Sequence, residues 1–330
     1  MTFNTRLAMA GTAGIVAAIL FALWTLQWPQ EGIQRGFRGT GMAEIYNTYD
    51  LSRAAVANIL PDAIPPLGDD SGPKASEAYK NVQVLGNVPV TEFVRLMASV
   101  TAWVAPDAGC EYCHNADAME SDRKYTKVVA RRMFQMVRHI NADWKAHVAE
   151  TGVTCYTCHR GQPVPKAIWF RQSGPFVGSP GKNLASAVTA LTSLPYDPFT
   201  PFLQQGNDIR VEGSVPLTGA NLSSIKQTEW TYGLMMHISD ALGVNCTYCH
   251  NTRQFGDWSQ STPQRGTAWY GIRMVRDINT AYLNPLQGAF PAERLGREGD
   301  APKANCATCH NGVYKPLFGA NMVADYPELK

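Results

Sequence analysis

The residues that could do chemistry in this 330-residue chain fall into four like arrangements. All 8 Cys lie in Cys-x-x-Cys pairs, and each pair is followed at once by His. The units are Cys110, Cys113 and His114; Cys155, Cys158 and His159; Cys246, Cys249 and His250; and Cys306, Cys309 and His310. Cys-x-x-Cys-His is the attachment pattern of c-type haem. Two thiols at that spacing add to the two vinyl groups of one porphyrin, and the adjacent imidazole lies under the iron as proximal ligand. Four units with no Cys left over predict four covalently bound haem c. A zinc site would pair Cys-x-x-Cys units but does not call for a His after every second Cys. A redox Cys-x-x-Cys has no reason to recur four times.

An electron carrier keeps its iron six-coordinate, so each haem needs a distal ligand, commonly Met or a second His. Of the 7 His, the four motifs leave His139, His147 and His237. Met97 lies 17 residues before His114, and Met235 lies 15 before His250. Met133 and Met136 share one helix face, and either could reach the second haem. In a repeat of the two halves, Met136 aligns with Met274, whereas Met133 aligns with Gly271. If Met133 serves haem 2, haem 4 has lost the equivalent group and must recruit another, for which His147 is a candidate. Spacing alone leaves Met136 with Met274, or His139, as alternatives.

The elements that position these groups also repeat. Thr91-Glu-Phe93…Leu96-Met97 before the first motif matches Thr228-Glu-Trp230…Leu234-Met235 before the third. Met136-Val-Arg-His-Ile-Asn141 before the second matches Met274-Val-Arg-Asp-Ile-Asn279 before the fourth. Tyr125, Val128, Val129, Met133, Met136, Val137 and Ile140 recur at three and four, which predicts a helix over 122–140. The fold class is therefore mainly α, with two pseudo-symmetric two-haem halves joined by irregular connectors. The expected organisation is a membrane anchor at 1–28, an irregular segment at 29–88, a haem 1/haem 2 half at 89–160, a connector at 161–220, and a haem 3/haem 4 half with the C-terminal tail at 221–330. The stretch 160–220 holds eight Pro and seven Gly.

Residues 7–28 carry no charge. As a helix these 22 residues would span about 33 Å, close to a bilayer core of about 30 Å. Trp24 and Trp28 stand at the distal end as interfacial residues would. No small-x-small cleavage site follows, so an uncleaved signal anchor is expected rather than a cleaved signal peptide. Haem is attached outside the cytoplasm, which puts the remainder in the periplasm. A net charge of +2 and no long run of like charge exclude a general case for nucleic-acid binding.

The pattern resembles the tetrahaem cytochrome subunit of the purple-bacterial photosynthetic reaction centre. The resemblance rests on the four motifs split two and two, on Met97, Met133 and Met235 at that family's upstream spacings, and on His147 twelve residues before His159. It implies Met/His ligation for haems 1, 2 and 3 and His/His ligation, by His147 and His310, for haem 4. It implies an electron carrier rather than an enzyme, held on the inner photosynthetic membrane against the L and M subunits, with the H subunit and light-harvesting complex nearby. Electrons would come from a soluble donor such as cytochrome c2 or a high-potential iron-sulfur protein and pass to the photo-oxidised bacteriochlorophyll pair. Haem 3 would lie nearest that pair and haem 1 farthest. Many members of that family begin with a lipid-bearing Cys. This sequence has no Cys before Cys110, so the N-terminal helix is expected to replace the lipid.

Two other classes fit four haems: a quinol-oxidising membrane cytochrome, disfavoured by only three spare His, and a multihaem reductase, which needs an open iron position. Around the first motif run Asp107, Glu111, Asp117, Glu120 and Asp122, with no Lys or Arg from 96 to 122. That acidic surface is expected to attract a basic soluble donor.

Overall fold

The computed structural model describes residues 3–25, 30–34, 43–65, 71–171, 194–195, 197–209 and 225–330. The exit of the expected anchor at Trp28 and most of the 161–220 connector lie outside these residues. The described chain is mainly helical, with two small two-stranded sheets.

On helix α1 (Phe3–Thr25) every side chain from Met9 to Thr25 is exposed. Ile15, Leu20, Phe21 and Trp24 are each at least 60% exposed. Among the described residues no helix is long and apolar enough to cross a membrane.

The segment 29–88 is more regular than its turn-rich composition suggests. Strands β1 (Gln30–Gln34) and β2 (Ala43–Asn47) pair antiparallel and lead into α2 (Thr48–Ala57). Asn47 caps α2 by accepting the Tyr49 N–H at 2.9 Å. Long-range bonds invisible to local pattern hold this unit on the second half. Tyr46 donates its hydroxyl to the Gly243 carbonyl at 2.9 Å, and buried Glu44 accepts the Asn245 N–H at 2.7 Å.

Short α3 (Ala75–Ala78) precedes α4 (Val90–Val104), which starts after Pro89 and buries Leu96, Ser99 and Trp103. Then come α5 (Tyr125–Asp143), α6 (Lys145–Val148) and α7 (Cys155–His159). The expected helix over 122–140 is thus present three residues further on. Phe134, Val137 and Ile140 face inward, but Val128 is 36% exposed. Lys127 is buried in its place, its Nζ donating to the carbonyls of Met119 and Ser121 at 2.7 and 3.2 Å.

The second half repeats the order with α8 (Ile225–Leu242), α9 (Pro263–Asp277) and α10 (Cys306–His310). Pro263 opens α9, where a missing N–H costs nothing. Strand β3 (Ile168–Trp169), after the second motif, pairs with β4 (Lys303–Ala304), just before the fourth. One core runs through both halves and joins Leu96, Phe134 and Ile140 to Leu234, Ile272 and Ile278. The C-terminal tail turns back onto the first half: Arg95 and Arg138 donate to the carbonyls of Asp325 and Glu328 at 2.5 and 2.8 Å.

Candidate functional site

The four motifs take two local forms. The first and third sit on 3₁₀ turns, Gly109–Tyr112 and Cys246–Tyr248. The second and fourth are one-turn helices, α7 and α10. Each helical motif opens with a capping box, Thr154 with Thr157 and Asn305 with Thr308. Each closes on a left-handed residue, Arg160 (φ 51°) or Asn311 (φ 49°). The 3₁₀ motifs share another tie. Thr126 and Thr262 donate their hydroxyls to the carbonyls of Tyr112 and Tyr248, at 2.5 and 2.7 Å, fixing each turn to the start of the next helix. Motif 1 therefore matches motif 3 in shape, and motif 2 matches motif 4.

All four motif histidines are oriented alike. Their Nδ1 atoms lie 2.9–3.0 Å from carbonyl oxygens: His114 with Met119, His159 with Gln162, His250 with Phe255 and His310 with Val313. A carbonyl only accepts, so Nδ1 carries the proton and the Nε2 lone pair stays free. This outer hydrogen bond is what fixes tautomer and ring direction in metal-ligating histidines. Burial pushes His159 and His250 below the usual imidazole value. Burial, with the His147 charge second, takes His310 to about 4. These rings are neutral and able to ligate near neutral pH.

His147 shows the same signature outside any motif. Its Nδ1–H donates to the Thr267 carbonyl at 2.9 Å, and its ring centroid stands 6.1 Å from that of His310. Two imidazoles on one metal, at about 2 Å from metal to each nitrogen and with about 1 Å from nitrogen to ring centre, span about 6 Å. The pair has room for an iron between.

The other candidates divide. Met97 and Met133 line a cavity of about 890 Å³ with Cys110, Cys113, His114, Cys155 and His159. That volume is at the upper end for cofactor sites. Met136 packs on the core and Met274 is buried within it, 6% exposed. Met235 is half-buried on α8 beside Leu234. His139 has both ring nitrogens engaged, Nδ1 with Asp143 at 2.7 Å and Nε2 with Asp277 at 2.5 Å. His237 is buried edge-on against Phe199, and burial takes it to about 4. Among the described residues no three of His, Cys, Asp and Glu gather at one point as the zinc alternative requires. The donor set of four thiol pairs, each with an adjacent imidazole whose Nδ1 is held by a carbonyl, fits haem c.

Contacts between the motifs set their order in space. Helices α7 and α10 pack against each other. Arg160 donates to the Cys309 carbonyl at 3.0 Å. Motifs 2 and 4 therefore stand side by side. Motif 1 shares its cavity with motif 2. On the other flank, the Gly312 N–H donates to the Ala241 carbonyl at 2.8 Å, and a β-carbon at Gly243 (φ +61°) would lie 2.2 Å from the Gly312 oxygen. That contact puts the end of α8, which leads into motif 3, against motif 4.

Residues without a sequence-level role complete the site. Asn141 donates to the carbonyl of Val153 and accepts its N–H, at 3.0 and 2.7 Å. Asn279 does the same for Ala304, at 2.9 and 2.8 Å. Each clamps the residue two before the first Cys of its own motif. The repeated Ile-Asn at 140–141 and 278–279 was their only sequence signal. The acidic surface at motif 1 is exposed but partly neutralised. Asp122 lies 2.9 Å from Arg131 and 3.5 Å from Lys127, and the Arg131 hydrogen bond first of all holds its carboxyl at about 2.

Comparison with known proteins agrees with this geometry. The chain is 53% identical over 326 residues to the photosynthetic reaction center cytochrome c subunit of Rubrivivax gelatinosus, covering 97% of this chain and 88% of that one. It is 53% identical to the subunit of Thermochromatium tepidum over 96% of this chain and 78% of the relative. It is 40% identical to that of Roseobacter denitrificans over 97% and 92%. Residues 27–330 match the family described as the photosynthetic reaction centre cytochrome C subunit, and the chain belongs to that family.

Proposed function

We propose that this chain, an electron-transfer subunit of a photosynthetic reaction centre, carries four haem c in the spatial order 1–2–4–3. It would relay electrons from a soluble donor at the haem 1 end to the bacteriochlorophyll pair held by the L and M subunits at the haem 3 end. The carrying observation is the hydrogen bond from the Arg160 guanidinium, at the close of the second motif, to the Cys309 carbonyl of the fourth at 3.0 Å, which supports a continuous row with motifs 1 and 3 at its ends. Bound haem supplies a one-electron couple at each position.

The chain supplies ligation, spacing and docking. Cys110/Cys113, Cys155/Cys158, Cys246/Cys249 and Cys306/Cys309 form the thioethers. His114 with Met97, His159 with Met133, and His250 with Met235 are the axial pairs of haems 1 to 3, and His310 with His147 is that of haem 4. Three Met-ligated positions give three higher potentials and one lower. The exposed apolar helix α1 supports a retained membrane anchor with the haem-bearing part in the periplasm. Mass analysis of the isolated subunit tests the anchor: a chain that retains residues 7–28 supports it, and one that starts after them overturns it.

The relay is tested by flash excitation of membranes containing the subunit. The expected result is four haems per subunit and light-induced oxidation of their α-bands. Carbon monoxide binding to a native haem, with no light-induced oxidation, would favour a reductase and overturn the reading.

A further inference from the structure

We propose that Gly271 selects the distal ligand of the fourth haem: by carrying no side chain where its repeat partner Met133 carries a thioether, it admits the His147 ring beside His310. The inference rests on the reading of His147 and His310 as the axial pair of haem 4.

Gly271 is buried in the middle of α9. Its backbone is ordinary helix, so no left-handed conformation calls for glycine. Mid-helix glycine is less favourable than alanine, so the reason for it lies in space. A β-carbon at this position would lie 2.5 Å from Cε1 of His147, 2.8 Å from Nδ1 and 3.1 Å from Nε2. Three ring atoms thus stand inside or at the edge of contact distance from one absent methyl group.

The ring cannot swing aside without loss. Its Nδ1–H is bound to the Thr267 carbonyl, one turn earlier on the same helix, at 2.9 Å. The imidazole therefore lies along the α9 surface directly over residue 271. Gly266 on the same helix has no atom within 4 Å of its β-carbon position, so helix α9 does not exclude side chains in general.

The repeat explains why this position matters. Helices α5 and α9 stand equivalently before motifs 2 and 4. On α5 the residue at this place, Met133, lines the cavity with His159. On α9 the same place is vacated, and a histidine from the first half fills it. The substitution of Met by Gly in one repeat and the reach of His147 across the halves are two parts of one exchange.

The test uses the intact reaction-centre complex bearing the variant subunit. Gly271→Ala is compared with Gly266→Ala and His147→Met by electron paramagnetic resonance and by redox titration of the α-bands. Gly271→Ala is expected to lose the bis-imidazole signature and to shift the midpoint of one haem of the four, with Gly266→Ala unchanged. If His147→Met keeps the bis-imidazole signature, the axial-pair reading itself fails. If His147→Met loses it while Gly271→Ala keeps it with an unshifted midpoint, the pair stands and the role of Gly271 is overturned. If Gly271→Ala does not accumulate, adding His147→Gly removes the obstructing ring. The double variant is then expected to accumulate as His147→Gly alone does, and no improvement over Gly271→Ala would sink the proposal.

Discussion

For single residues, the hydrogen bonds behind the motif histidines and the amide clamps beside them recur as regularly as the motifs. Each motif histidine is held by a carbonyl three to five residues ahead, a bond short enough in sequence to be rebuilt identically in every unit. The clamps at Asn141 and Asn279 are different, because they tie the end of a long helix to the backbone that enters the motif. Replacing Asn279 by Leu leaves the buried Ala304 N–H and the Leu203 carbonyl, which Asn279 serves at 2.8 and 3.1 Å, without that partner, whereas the Ala304 carbonyl keeps the Trp169 indole N–H at 2.8 Å. At about 1–3 kcal/mol per buried unsatisfied group, the variant is expected to lose about 3 kcal/mol. It should also carry fewer than four haems per subunit. Denaturant unfolding with haem counting measures both, and an unchanged midpoint would contradict the clamp role.

Between elements, α5 and α9 meet across the repeat at equivalent positions. His139 aligns with Asp277, and the two side chains bond to each other. The Trp144 indole N–H also donates to Asp277, at 2.9 Å. Tyr282 stacks on the imidazole at 5.2 Å, with the Arg132 guanidinium 4.5 Å from the Tyr282 ring. Burial alone would lower the His139 value, but the hydrogen bonds to Asp277 and Asp143 outweigh it and hold the imidazole above its usual range. A value raised in the fold means that the charged bridge stabilises fully below the ordinary value of about 6.5 and is lost as pH rises through the folded value. The expected outcome is a thermal-stability gap between the native chain and His139→Gln that is widest below the ordinary imidazole value of about 6.5 and closes as the pH rises above it. A gap independent of pH would show that His139 acts by packing alone.

Across the whole molecule, the two ends of the chain exchange halves. The β1–β2 unit and α2 fasten to the second half, while the C-terminal tail fastens to the first. Both halves are thereby tied together, with motif 2 against motif 4 and motifs 1 and 3 on either side. At the motif 1 end, Asp107, Glu111, Asp117 and Glu120 stay exposed, and Asp122 is already paired. Electrostatic steering acts on the association rate and fades with salt. Glu111→Lys with Asp117→Lys should therefore slow reduction by a basic soluble cytochrome by roughly tenfold at low ionic strength and flatten its salt dependence. Stopped-flow or flash kinetics over a salt series measures this, and unchanged rates would place the donor elsewhere.

The sequence by itself determined what is local. Cys-x-x-Cys-His is a five-residue geometry, so the four candidate attachment units could be read from spacing. The helix over 122–140 followed from a period that one amphipathic segment writes in full. The duplication was legible because both copies kept the same residues around Met136 and Met274. The tertiary structure decided what depends on residues far apart. The bond of Arg160 to Cys309, the approach of His147 to His310, the bond of His139 Nε2 to Asp277, and the space over Gly271 all join groups separated by more than a hundred residues. No local spacing encodes such pairs, because they arise only when one core takes side chains from both α5 and α9 and α7 packs against α10.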